Sequence, residues 1–151
     1  ISNIMKVILT TNIKKLGNIG DLVEVKDGFA RNFLFPNNMA LRKNKKNLEY
    51  YEKIKAEVQE KEKIKLDNAK KLISEISNIK IVFNKEADEK SQLYGSITKK
   101  EIIDFFELND IKIKSDDLII KEPIKTLGDH EIEISPYVNV TEIFKVTINK
   151  N

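Results

Sequence analysis

A stretch of 35 residues without glycine or proline, from Asn44 to Asn78, most constrains how this 151-residue chain can fold. Glu57 and Lys61 are four residues apart in the order that stabilises a helix, and Asn44 is a residue type that caps helix N-termini. The stretch therefore predicts one long helix. Its centre, KAEVQEKEK at residues 55–63, has one large apolar residue, Val58, which is typical of a helix that bridges two domains through solvent or of a disordered charged linker. The paired charges and the lack of helix breakers favour the bridging helix.

The predicted helix divides the chain into three parts, with domains at residues 5–43 and 79–151 on either side of residues 44–78. Met5 is interpreted as the natural start, so the four residues before it are left out of the fold prediction. The first domain alternates apolar runs with turns, which predicts a small sheet of three strands and one short helix. The strands are predicted at Met5–Leu9, Leu22–Lys26 and Met39–Arg42, and the helix at Ala30–Phe35.

The sequence predicts that the last domain is a compact α+β unit. Thr98 and Glu101 have the spacing of a capping box, which predicts a helix from there to about Leu108. Apolar, β-branched runs before and after it predict strands. These lie at Lys80–Asn84, near Ile111–Lys114, at His130–Ile134 and at Val140–Ile148, and Leu93–Ile97 leads into the helix.

Charge and composition limit the classes of partner, compartment and metal site that are expected for this chain. Residues 1–42 hold six lysines and arginines against three acids, whereas residues 79–151 hold eleven lysines against fourteen acids. A polyanionic partner is therefore expected at the front of the chain. The chain has no cysteine, which fits a reducing compartment, and a single histidine, which excludes a multi-histidine metal site.

The segment LGNIGDLVEVKDGFARNFLFPNN at residues 16–38 places glycines beside basic, aromatic and amide side chains. Lysines can contact phosphates, aromatic rings can stack on unpaired bases, and arginine or asparagine can hydrogen-bond phosphate, ribose or base edges. We therefore expect an RNA-binding surface. Two alternatives stay open: Phe33 can be a core residue next to Leu34, and His130 can make structural hydrogen bonds rather than contact RNA.

No pattern in the sequence predicts catalysis. No serine lies in a G-x-S-x-G context, and the chain lacks a P-loop and a G-x-G-x-x-G motif. The adjacent acids Asp116 and Asp117 are better explained as a solvated turn than as an acid–base pair. A small hydrolase or transferase in the last domain is the enzymatic alternative, and it would need a convergent polar pocket there.

Three motifs resemble the bacterial large-subunit ribosomal protein L9 family. They are G-x-x-G at residues 17–20 followed by V-x-x-G-F-x-x-N-F-L at residues 25–34, LYGSIT at residues 93–98, and LGDH at residues 127–130. The similarity extends along the chain from Met5. The family usually has glycine where this chain has Asn38, and asparagine tolerates the left-handed backbone conformation that glycine would adopt there.

The resemblance implies an α+β fold shaped as an elongated dumbbell, in which a small three-stranded N-terminal domain and an α/β C-terminal domain are joined by a long exposed helix. It also implies a structural constituent of the large ribosomal subunit that binds 23S rRNA through its N-terminal domain and supports translation fidelity. A cytoplasmic protein is expected, monomeric off the ribosome, without enzymatic activity, cofactor, metal or membrane partner. A non-ribosomal RNA-binding module of KOW-like type is the alternative.

Carried onto this chain residue by residue, the resemblance gives two sets of contacts. The main RNA-binding positions are Lys6, Lys14, Lys15, Lys26, Phe29, Arg31, Asn32 and Phe33. A secondary RNA contact in the C-terminal domain would involve Tyr94, Gly95, Ser96 and His130.

Overall fold

A computed structural model describes residues 3–151 of the chain. It contains two compact units, one ending at Leu66 and the other beginning at Asp67. Of the four residues left out of the fold prediction, Ile1 and Ser2 lie outside the described residues. Leaving out Ile4 was wrong, because it pairs with Lys26 in the first strand pair.

The first unit contains a three-stranded antiparallel sheet, as predicted. Strand β1 is Ile4–Leu9, β2 is Leu22–Lys26 and β3 is Ala40–Arg42, in the order β2-β1-β3. The strand β1 lies in the centre because it is the most apolar of the three, and it buries Val7, Ile8 and Leu9.

Between β2 and β3 the chain forms a compact helical turn that covers one face of this sheet. Helix α1, Asp27–Phe29, continues into a π-helical segment, Ala30–Leu34, which is closed by a hydrogen bond from the Phe35 N–H to the Ala30 carbonyl at 2.9 Å. Ala30 and Leu34 are fully buried and pack in one cluster with Val7, Leu9 and Val25. The predicted short helix is therefore present, and its buried side fixes it on the sheet.

The long helix α2 spans Lys45–Ser77. Asn44 caps it as predicted, since its Oδ1 accepts a hydrogen bond from the Asn47 N–H at 2.7 Å. The prediction of a polar, solvated centre is wrong at one position: Glu62 is only 6% exposed. That carboxylate packs on the loop after β1 and is hydrogen-bonded there.

The second unit is an α+β domain built on a four-stranded sheet of order β4-β9-β8-β6. Strands β4 and β9 are parallel, and the other neighbours are antiparallel. A separate two-stranded sheet pairs β5 with β7. The strands are β4 Ile81–Lys85, β5 Gln92–Ile97, β6 Leu118–Ile119, β7 Ile124–Thr126, β8 Gly128–Tyr137 and β9 Val140–Lys150.

Helix α3, Lys99–Leu108, packs against the sheet and contributes the largest buried side chain, Phe106. The predicted capping box is confirmed at its start, where Thr98 Oγ1 accepts a hydrogen bond from the Glu101 N–H at 3.1 Å. The last turns of α2 add Ile76 to the same core.

One predicted strand is wrong. Residues 111–114 have no regular structure and lead into a short 3₁₀ turn, Ser115–Asp117. Ile111 and Ile113 are both buried, so the alternating pattern correctly indicates an extended segment with one face in the core. A strand also requires a partner backbone, and the sheet position is taken by β6 immediately downstream.

Candidate nucleic-acid interface

The helical turn after β2 exposes a pair of stacked aromatic rings. Phe29 and Phe33 are four residues apart, and their ring centroids are 5.2 Å apart with planes inclined by 25°. They are 42% and 44% exposed, whereas Ala30 and Leu34 on the opposite side of the turn are fully buried. The alternative that Phe33 is a core residue is therefore wrong. Buried neighbours hold the two rings at the surface, where each packs on the other and keeps about two fifths of its area exposed.

Arg31 and Asn32 lie on this same turn and are exposed. A turn that carries two stacked rings, a guanidinium and an amide offers both stacking and hydrogen-bonding groups within five residues of chain. This combination suits an unpaired nucleotide, whose base can stack while its phosphate or ribose accepts hydrogen bonds.

The loop between β1 and β2 presents Lys14 and Lys15, both of which are exposed. Lys15 has a φ of 66°, in the left-handed region, so the turn at this point is sharply defined. Hydrogen bonds on both sides hold the loop: Asn12 Oδ1 accepts from the Ile19 N–H at 2.6 Å, and the Ile13 N–H donates to the Gly17 carbonyl at 2.9 Å. The two lysines are thus displayed by an ordered loop.

Lys6 and Lys26 lie elsewhere on the first unit. The register pairs Lys6 with Glu24 and Ile4 with Lys26, so both lysines lie on the sheet face opposite the one that buries Val7 and Leu9. Lys6 Nζ is 3.9 Å from the Glu24 carboxylate, and both side chains are exposed. Lys6 therefore lies on the face opposite the aromatic turn, whereas Lys26 directly precedes this turn as the N-cap residue of α1.

In the second unit, the proposed secondary contact divides into two parts. Tyr94, Gly95 and Ser96 lie in β5 between its two paired positions, Gln92 and Ile97, where the register shifts. Tyr94 is 76% exposed there. These three residues line one shallow groove, whereas His130 lines another.

His130 has structural hydrogen bonds at the start of β8. Its Nε2 lies 2.8 Å from the Thr126 carbonyl and 3.2 Å from Thr126 Oγ1. The carbonyl can only accept, so Nε2 carries the proton in that bond. The interpretation of His130 as a structural residue therefore agrees with its contacts.

Sequence reasoning missed two residues that support the loop between β1 and β2 from outside it. We call this loop, which carries Lys14 and Lys15, the lysine loop. Glu62 Oε2 accepts a hydrogen bond from the Asn12 N–H at 3.3 Å, and Lys65 Nζ lies 3.1 Å from both Thr11 Oγ1 and Glu62 Oε1. Glu62 and Lys65 are separated from the loop by about fifty residues of chain. Their spacing on a lysine-rich helix resembles that of ordinary solvated ion pairs, so the sequence carried no signal for this role.

Among the described residues, no helix is both long enough and apolar enough to cross a membrane.

Comparison with known families gives a match over both units. The description "Ribosomal protein L9, N-terminal domain" matches residues 5–51, and "Ribosomal protein L9, C-terminal domain" matches residues 67–150. The KOW-like alternative has no such support.

Curated relatives are similar along nearly the whole chain, and each is named large ribosomal subunit protein bL9. The protein of Trichlorobacter lovleyi is 36% identical over 145 residues, which cover 96% of this chain and 99% of the relative. That of Geobacter sulfurreducens is 32% identical over 97% of this chain and 99% of the relative. That of Rhodospirillum rubrum is 39% identical over 91% of this chain and 72% of the relative. The chain therefore belongs to the ribosomal protein L9 family, a family of structural, non-enzymatic proteins.

Proposed function

We propose that this protein is a structural constituent of the large ribosomal subunit that binds 23S rRNA through its first unit. The observation that carries the proposal is the exposed, stacked pair Phe29–Phe33 beside Arg31 and Asn32, on a turn whose other side is buried. Such a preformed surface loses little side-chain freedom on binding, because packing already fixes the backbone that carries it.

Charge supports the same assignment. The first 42 residues carry a net positive charge, and Lys14 and Lys15 are displayed on an ordered loop of the same unit. Phosphate contacts by lysine and arginine release condensed counterions, and this supplies much of the affinity for RNA. Lys26 directly precedes the aromatic turn, and Lys6 would contact RNA only where the RNA reaches the other face of the sheet.

The second unit, with its net negative charge, is assigned a lesser role in RNA binding. Tyr94, Gly95 and Ser96 form its most exposed candidate contact, and His130 is assigned to the fold because of its bonds to Thr126. We further propose that the protein is a cytoplasmic monomer when it is off the ribosome, and that it supports translation fidelity when it is on it.

The test is binding of the full chain to bacterial 23S rRNA at several salt concentrations. Arg31→Ala and Lys14→Ala should each lower the slope of log affinity against log salt by about one unit if each side chain contacts a phosphate. Lys121→Ala is the control, because Lys121 is an exposed lysine of the second unit that faces Glu133 at 3.9 Å. An unchanged slope for Arg31→Ala would remove that residue from the interface.

Stacking is tested separately from charge. The double variant Phe29→Leu with Phe33→Leu keeps apolar side chains of similar bulk and removes the aromatic faces. It should weaken binding by about five- to 100-fold and leave the salt slope unchanged, because stacking on a base releases no counterions. If Tyr94→Ala weakens binding and the double variant does not, the anchor lies in the second unit.

Fidelity is tested with a reading-frame reporter in bacteria that lack their own member of this family. Complementation with the unaltered protein should lower frameshifting, and the phenylalanine double variant should fail to do so at an equal protein level. Equal frameshifting with both proteins would separate fidelity from RNA binding.

A further inference from the structure

A groove of about 830 Å³ lies within the first unit, between β3 with the turn before it and one side of helix α2. We call it the β3–α2 groove. It is a different surface from the turn that carries Phe29 and Phe33, and none of the RNA-binding positions derived from the family resemblance lines it. Its main lining residues are Asn37, Asn38, Arg42, Tyr50, Ile54 and Val58.

The floor of the groove is apolar and presents an aromatic ring. Tyr50, Ile54 and Val58 are spaced four residues apart on α2, so they lie along one side of the helix. Tyr50 is 51% exposed, and Ile54 and Val58 are half-buried. A tyrosine ring above a strip of aliphatic side chains can receive the flat face of a base, as aromatic side chains do in single-stranded RNA complexes.

The rim of the groove is rich in side-chain amides. Asn37 Nδ2 donates to the Phe33 carbonyl at 2.7 Å, and Asn47 Nδ2 donates to the Arg42 carbonyl at 2.7 Å. Each bond fixes its side-chain amide through the nitrogen. The oxygen of the same amide can then accept a hydrogen bond. Oriented acceptors can bind the exocyclic amino groups of bases.

Charge at the groove favours an anionic occupant. Arg42 opens the run RKNKK at residues 42–46, which has four cations in five residues and no acid until Glu49. The two acids within the groove face lysines of the same helix: Glu57 lies 3.6 Å from Lys61, and Glu62 lies 3.1 Å from Lys65. The groove lining therefore carries three cations, Arg42, Lys61 and Lys65, against two acids, and both acids face lysines rather than Arg42.

We propose that the β3–α2 groove binds one unpaired nucleotide of RNA, with the base stacked on Tyr50 and a phosphate bound by Arg42. The proposal rests on the proposed function, because it extends the RNA-binding surface of the same unit to a second recognition point. The free edge of β3 could instead pair with an extended peptide of a neighbouring protein. The amide rim and the cationic Arg42 match a nucleotide better than a backbone strand.

The first experiment measures binding of the full chain to 23S rRNA for Tyr50→Ala, Tyr50→Phe and Arg42→Gln. Tyr50→Ala should weaken binding by about five- to 100-fold without changing the salt slope, and Tyr50→Phe should restore most of the affinity. Arg42→Gln should lower the salt slope by about one unit. Leu108→Ala is the control, since Leu108 is an exposed side chain of α3 in the second unit.

The second experiment identifies the occupant directly. Tyr50 is replaced by the photoreactive p-benzoylphenylalanine, and the protein is assembled into large subunits that lack their own member of this family. Cross-linking to RNA is the expected result. Cross-linking to a ribosomal protein would overturn the proposal in favour of strand pairing at β3, and the absence of any cross-link would overturn it as well.

The two proposals can fail independently. If Tyr50→Ala binds like the unaltered chain while the Phe29 and Phe33 double variant binds weakly, the groove proposal is wrong and the proposed function stands. If the unaltered chain shows no salt-dependent binding to 23S rRNA, the proposed function fails first.

Discussion

Glu62 and Asn12 are fifty positions apart in the chain, yet the Asn12 N–H donates a hydrogen bond to the Glu62 carboxylate at 3.3 Å. The same carboxylate faces Lys65 at 3.1 Å, and Lys65 also donates to Thr11. Glu62 and Thr11 are both only 6% exposed. This contact ties the start of the loop that carries Lys14 and Lys15 to helix α2.

Glu62→Ala should lower the free energy of unfolding of the first unit by about 1–3 kcal/mol, since it removes the acceptor of the half-buried Asn12 N–H and one of the two acceptors of Lys65 Nζ. Glu57→Ala is the matched control on the same helix. Glu57 is exposed and lies 3.6 Å from Lys61, so its loss should cost about 0.5 kcal/mol or less. Native-state hydrogen exchange of the Val7 and Leu9 amides in the central strand reports the opening of this unit.

The same variant also gives a local readout. The Asn12 amide should exchange faster in Glu62→Ala than in the unaltered chain, while the amides of β8 in the second unit should not change. If both glutamate variants cost the same, the buried contact contributes no more than a surface ion pair and does not hold the loop.

Gly20 and Tyr51 form a second close contact in the first unit. Gly20 has a φ of 87°, and a side-chain carbon added to it would lie 3.0 Å from the Tyr51 hydroxyl oxygen. Gly20→Ala should therefore cost about 1–2 kcal/mol for the left-handed backbone alone, with a further cost for moving the tyrosine. Amide exchange of Val7 and Leu9 measures the loss.

The two costs of Gly20→Ala can be separated by shortening the tyrosine. In the Tyr51→Phe background the hydroxyl is absent, so Gly20→Ala should be less harmful there than in the unaltered chain. Equal costs in both backgrounds would show that the backbone conformation alone is responsible.

Local patterns predicted most of the regular structure. The alternation in Leu22–Lys26 gave the strand with its observed bounds, and the cap at Asn44 located the start of α2 to within one residue. Asn38 has a φ of 55°, as expected for a residue that replaces a glycine in the left-handed region. Each of these features depends on residues close to one another in the chain, which is why sequence patterns contain them.

Features that depend on distant residues were not predictable in this way. The alternation at residues 111–114 shows which side chains are buried, but it does not show which segment pairs with β8, and that segment is Leu118–Ile119. The β3–α2 groove is likewise formed by two segments whose packing brings Arg42 and Tyr50 to one surface. The residues of the segment 16–38 indicated an RNA-binding surface, but they left Phe33 undecided between core and surface.

The cap of helix α3 can be tested in the second unit. Thr98→Ala removes the hydroxyl that accepts from the Glu101 N–H, and it should cost about 1 kcal/mol. Thr98→Ser keeps the acceptor and should cost much less. Amide exchange of Glu101 and Ile102 measures the fraying of the first turn, and equal exchange in both variants would show that the cap does not stabilise this helix.

The Tyr51 phenol should make the stability of the first unit fall as the pH rises through the alkaline range. Burial raises the pKa of its phenol above the ordinary value of 10.0, and the negative charges of Glu52 and Asp21 raise it further. The folded state therefore keeps the proton that the unfolded chain releases near pH 10. The resulting stability is fully present below that pH and is lost as the pH rises through the folded-state pKa.

Thermal midpoints from pH 9 upward, followed by circular dichroism, should fall more steeply for the unaltered chain than for Tyr51→Phe, which has no phenol to ionise. The two proteins differ only in this hydroxyl, so the difference between the two curves isolates Tyr51. Parallel curves for the two proteins would show that the Tyr51 phenol ionises equally in both states.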